Sequence, residues 1–108
     1  MAYTVTWVLT RPNAETALPV ISDYSATNKD ASDAIYASSG VTKSYSIDGL
    51  ATTVTYEAAD KATYDSAKTQ IDAISDEASV KASLKTAMQS AGCTVVVTDS
   101  EGTELANF

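Results

Sequence analysis

The sequence predicts an α+β fold in which an antiparallel sheet carries its helices on one face. Three observations predict it. Residues 3–10 (Tyr-Thr-Val-Thr-Trp-Val-Leu-Thr) alternate in character with the period of two that marks a half-buried strand. Asp48-Gly49 sits between two β-branched runs, and a two-residue hairpin turn favours that dipeptide because its central residues need positive φ. Between Asp60 and Gly92 the apolar residues recur at helical spacing instead.

Each element follows in chain order. The first strand puts Tyr3, Val5, Trp7 and Leu9 on one face and Thr4, Thr6, Val8 and Thr10 on the other. Arg11-Pro12 ends it, since proline gives a ladder no donor. Residues 13–19 read as a loop, with Pro19 holding Leu18 extended. A helix is expected from about residue 21 to 38, with Tyr24, Ala31 and Ile35 near one face, Thr27 between them and Gly40 as a left-handed stop. Asp30 is an alternative start for a shorter helix. In the hairpin, a turn at Asp48-Gly49 pairs Ile47 with Leu50, Tyr45 with Thr52, Lys43 with Val54 and Val41 with Tyr56. That register sorts the large apolar side chains onto one face. Asp60 is a good N-cap for a helix through Tyr64, Ala67, Ile71 and Ile74. Ser75-Asp76 reads as a second cap before Val80, Leu84, Met88 and Ala91, giving two helices or one kinked at Ser75. Residues 93–98 form the last clear strand, with Cys93, Val95 and Val97 inward. Asp99-Ser100-Glu101-Gly102 is turn chemistry, and residues 103–108 are a fifth strand or a tail.

This order matches the split βαβ, or ferredoxin-like, plan in one domain spanning residues 1–108. Right-handed crossovers place strands one and three in the middle and strands two and four at the edges. The helices are then expected over Tyr3, Val5, Trp7, Leu9, Tyr45, Ile47, Val54 and Tyr56.

Composition narrows the functional classes. Fourteen acidic and seven basic residues leave a net charge of -7, with no histidine. The six lysines and one arginine are scattered, so no basic patch invites nucleic acid. No apolar run approaches the ~20 residues of a membrane span, and no charged-then-apolar leader opens the chain. It reads as soluble, with no membrane partner. The single Cys93 excludes an intrachain disulfide and a cysteine-based zinc site.

Catalytic signatures are lacking. Without histidine, a serine or cysteine nucleophile has no usual base. Cys93, at a strand start after a glycine, reads as a small buried hydrophobe. The acidic group Asp72, Asp76 and Glu77 does not match an EF-hand, and both it and the group Asp99, Glu101 and Glu104 lie where caps and turns use acids. No phosphate-binding glycine loop or metal-ligand pair appears, so no cofactor and no metal is expected.

The uncovered side of the sheet carries the functional expectation. It comprises Thr4, Thr6, Val8, Thr10, Thr42, Ser44, Ser46, Ala51, Thr53, Thr55, Thr94, Val96 and Thr98, none charged in a chain where 19% of residues are. Threonine favours strands and hydrates adequately, so a plain solvated face is one reading. The other is a protein interface, because interface cores are depleted of charge. RNA binding on such a sheet would need stacking aromatics and basic neighbours on that side, and both are missing. The last strand, without charge or proline, would invite pairing if left as a bare edge; either the C-terminal segment folds back through the Asp99–Gly102 turn as a local hairpin, or it pairs with a neighbouring copy. The interface expectation therefore rests on Thr4, Thr6, Thr53, Thr55, Thr94, Val96 and Thr98, with residues 93–108 contributing to assembly.

A resemblance adds to this. The strand closing on Thr10-Arg11-Pro12, the hairpin Ile47-Asp48-Gly49-Leu50 running into Thr53-Val54-Thr55, the helix start from Asp60 to Tyr64 and the Ala91-Gly92-Cys93-Thr94 lead-in to the last strand are similar to short accessory virion proteins of tailed bacteriophages, especially those of marine hosts. The resemblance implies a structural or decoration protein of a capsid or tail, present in multiple copies and assembled in the host cytoplasm. Its partners would be other copies of itself or other virion proteins, and it implies no catalytic residues. The alternative is a dimeric α/β-barrel enzyme or small-ligand binder with an aromatic pocket among Trp7, Tyr45, Tyr56 and Tyr64.

Overall fold

The computed structural model describes residues 2–16, 26–74 and 77–108. Five strands and three helices follow one another as β1 (Tyr3–Thr10), α1 (Ala26–Ser38), β2 (Thr42–Asp48), β3 (Ala51–Ala58), α2 (Lys61–Asp72), α3 (Glu77–Ser90), β4 (Thr94–Asp99) and β5 (Glu104–Asn107). The strands form one antiparallel sheet in the order β2-β3-β1-β4-β5. Strands one and three are central, as expected. Strand four is not an edge, because residues 104–107 fold back and pair with it. The tail is thus a fifth strand, and β5 and β2 are the two edges.

All three helices send their buried side chains to the same face of the sheet. The core gathers Tyr3 and Val5 of β1, Ala58 of β3, Cys93, Val95 and Val97 at β4, Tyr36 of α1, Tyr64, Ala67 and Ile71 of α2, and Met88 of α3. Full burial of Val5, Val95 and Met88 is worth about 1.5–3 kcal/mol for each side chain. The inward set anticipated for the last strand (Cys93, Val95 and Val97) is buried, and Cys93 is a free, buried thiol.

Two helix-to-strand junctions use one device. Gly40 (φ 78°) follows α1, with its N–H donated to Ala37 O at 3.2 Å and Val41 N–H donated to Tyr36 O at 2.9 Å. Gly92 (φ 75°) follows α3 in the same way, through Gln89 O at 3.1 Å and Met88 O at 2.9 Å. This is the Schellman cap, in which a left-handed residue lets two N–H groups reach back to orphan carbonyls. The residues that its usual apolar contact would join, Tyr36 and Val41 in one case and Met88 and Cys93 in the other, are all buried. Asp60 caps the start of α2, accepting from Thr63 N–H at 2.8 Å. The chain divides after residue 72 into two helices; the anticipated Ser75-Asp76 cap lies outside the described residues.

Three further expectations remain, of which the first and third need correction. The hairpin loop is Gly49-Leu50, not Asp48-Gly49, because Asp48 pairs with Ala51 and Ile47 with Thr52. Arg11 accompanies this shift, its N–H donated to Leu50 O at 3.0 Å and its guanidinium to Gly49 O at 3.3 Å and Thr16 O at 3.1 Å. Moving the loop by one residue changes pairs by two positions, so the division of side chains between faces survives. Second, α1 is described from Ala26, and the anticipated stretch at 21–25 lies outside the described residues. Among residues 31–38, the part of α1 whose side chains are described, Ser32 and Tyr36 are buried and Ala31 and Ile35 half-buried. Third, Tyr45 and Ile47 are not under the helices. They are 72% and 68% exposed on a β2 strand whose every residue is exposed.

Candidate interaction surface

Alternation along the strands builds the face opposite the helices, and the register aligns its side chains into rows. One row runs Ser46, Thr53, Val8, Val96 and Asn107 across the five strands. The next runs Ser44, Thr55, Thr6, Thr98 and Glu104. Thr42, Glu57 and Thr4 form a third, and Asp48, Ala51, Thr10 and Thr94 a fourth. The structure therefore brings Thr4, Thr6, Thr53, Thr55, Thr94, Val96 and Thr98 together on one surface. Those on β1 and β3, with Val96, are half-buried by their neighbours in the sheet, and Thr94 and Thr98 are exposed. None of the anticipated face residues is buried, and no described helix directs its core side chains there.

The structure adds three carboxylates that the sequence reading left off this face. Because β3 continues to Ala58 and β2 to Asp48, Glu57 and Asp48 share the threonine side, and β5 contributes Glu104. Asp48 and Glu104 end their rows and Glu57 lies within an outermost row, so the central rows keep an uncharged middle. Strand continuation past an apparent end was the missed signal: Glu57 keeps the alternation of Thr53 and Thr55.

Acids elsewhere act structurally. Asp99 closes the β4–β5 turn, one oxygen accepting from the N–H groups of Glu101 and Thr103 at 2.9 Å each and the other from Tyr3 Oη–H at 2.8 Å. The Thr103 N–H bond is the largest influence holding its carboxyl below the ordinary carboxylate value, and the Tyr3 and Glu101 donors act in the same direction. Asp72 pairs with Lys68 at 3.3 Å and Asp65 with Lys61 at 2.7 Å, both one helical turn apart. Among the described residues no group of three or more acids or thiols is placed to hold a metal ion.

The four aromatics of the alternative pocket do not converge. Tyr64 is buried, Tyr45 lies on the surface, and Tyr36 stands between the other rings, 4.7 Å from Tyr56 and 6.4 Å from Tyr64 between centroids. Tyr3 packs on Tyr64 at 5.6 Å. These rings fill the layer between sheet and helices with one another. Tyr36, absent from the expected set, is its centre.

Comparison with protein-family models, with curated proteins and with solved structures finds no match.

Proposed function

We propose that the protein works by protein–protein contact, as a small structural component of a larger assembly that docks through the threonine face of its sheet. The observation that carries this reading is the uncharged centre of that face, spread over five strands in a chain of net charge -7. An acidic protein whose one flat side lacks charge at its centre presents little to repel a neighbour there, and small side chains let backbones approach closely. The resemblance to accessory virion proteins makes a bacteriophage capsid or tail the assembly we favour.

Two experiments test it. Val96→Lys places a charge at the middle of a row and should lower the assembly's mass in light scattering, with an unchanged circular dichroism spectrum. Normal assembly of that variant would remove this surface from the argument. Mass spectrometry of virus particles purified from the source of this sequence should find the chain in many copies; its absence from them would remove the virion role.

A second reading, a small-ligand binder, has one observation in its favour. Trp7 Nε1 and Ser32 Oγ are buried with no hydrogen-bond partner among the described residues, on the sheet and helix sides of the aromatic layer. A ligand accepting from the indole would change Trp7 fluorescence on titration, and a flat response to a metabolite panel would dismiss it.

A further inference from the structure

Beyond the threonine face, the two sheet edges differ in how they are protected. The β5 edge has four residues and a bulge where its register against β4 shifts, both devices that discourage strand addition. The β2 edge has seven residues in unbroken register with β3, no proline and an exposed Tyr45-Ser46-Ile47. Its only charges are Lys43 and Asp48, near its two ends.

The ladder settles which backbone groups point outward. Arg11 N–H donates to Leu50 O, so the hydrogen-bonded pairs of β1 with β3 join odd residues of β1 to even residues of β3. Odd residues of β3 therefore bond to even residues of β2. The N–H and C=O of Lys43, Tyr45 and Ile47 are left facing away from the sheet.

We infer that β2 pairs antiparallel with β2 of a second copy, making a twofold dimer with one continuous ten-stranded sheet. Only a twofold perpendicular to the sheet relates two such edges, so residues of equal parity must face each other. The register that pairs all seven residues has Tyr45 opposite the partner's Tyr45 and Lys43 opposite the partner's Ile47. It forms three hydrogen-bonded pairs and uses every outward N–H and C=O of the three residues. Tyr45 and Ile47 of both copies then form one apolar strip on the helix side, along the stem of Lys43. In this register no like charges meet: Lys43 lies opposite the partner's Ile47 and Asp48 opposite the partner's Thr42, whereas parallel in-register pairing would set like beside like. A contact this narrow lies at or below the lower limit of stable interfaces, roughly 1,200 Å² in total, so dimerisation should depend on concentration.

Sedimentation of the full chain tests this. The wild type should pass from 11.3 kDa to twice that mass as concentration rises. Tyr45→Pro deletes an outward N–H at the twofold, where an edge strand tolerates proline, and should stay monomeric. Tyr45→Glu sets two carboxylates against each other there and should do the same, which keeps the test decisive if the proline variant misfolds. Amides of Lys43, Tyr45 and Ile47 should gain protection from hydrogen exchange as the dimer forms. A wild type that remains monomeric at millimolar concentration, or a folded Tyr45 variant that still dimerises, overturns the inference. The threonine face is distinguished by Val96→Lys, which leaves the edge dimer intact whether or not that face docks.

Discussion

Tyr3 and Asp99 show what one hydrogen bond between distant residues does to this fold. The bond joins the first strand to the turn that starts the last hairpin, and the two groups titrate in opposite directions. Burial first, and the Asp99 carboxylate second, raise the Tyr3 hydroxyl far above its ordinary value of 10.0. A raised pKa means that Tyr3 contributes stability fully below about pH 10 and loses it as pH climbs further. Asp99 has a lowered pKa, so its contribution holds above about pH 4 and fades as pH falls through its lower folded value. Tyr3→Phe should cost about 1 kcal/mol at neutral pH and should flatten the alkaline limb of a urea stability profile. An alkaline limb as steep as the wild type's would show that Tyr3 does not govern it. The partnership was not legible in the sequence, since nothing local ties residue 3 to residue 99.

At the scale of elements, β5 changes the role of β4. Val95 and Phe108 exchange both backbone hydrogen bonds, at 2.6 and 2.8 Å, and Lys85 of α3 lies 5.8 Å from the centre of the Phe108 ring. The short strand thus shields Thr-Val-Val-Val-Thr, the stretch of the chain best suited to aggregate. Deleting residues 103–108 should lower the unfolding midpoint and produce thioflavin-positive aggregates at neutral pH. A truncated chain that stays soluble and monomeric would refute that protective role. The existence of the hairpin, the Asp60 cap and both glycine stops were readable because each depends on residues a few positions apart, whereas the hairpin's turn lies one residue beyond its Asp-Gly signal. Helix α1 was less so. Its Ser, Asn and Asp content dilutes the periodicity, and the signal that locates its core face is Tyr36 lying one turn before Gly40.

For the whole molecule, charge and shape act together. The extents of 38 × 30 × 19 Å describe a flat body with helices on one side, an uncharged sheet centre on the other and acids at its outer positions. Copies carrying -7 each repel at long range, so any association between them should strengthen with salt as screening grows. Light scattering at about 20 and 300 mM sodium chloride checks this, with the Debye length falling from roughly 20 to 6 Å. Weaker association at the higher salt would point to ion pairs instead of apolar and backbone contacts.

Alternation, caps and turn residues, read from the sequence alone, determined the first four strands, the α+β class and which residues of those strands share the threonine side. Those features act through near neighbours, and their periods are carried by the residues themselves. Tertiary structure alone decided that β4 is interior, that Tyr45 and Ile47 stay outside the core, and that Glu57, Asp48 and Glu104 join the open face. These outcomes depend on where strands end and which edges meet, and energies between residues far apart in the chain select them.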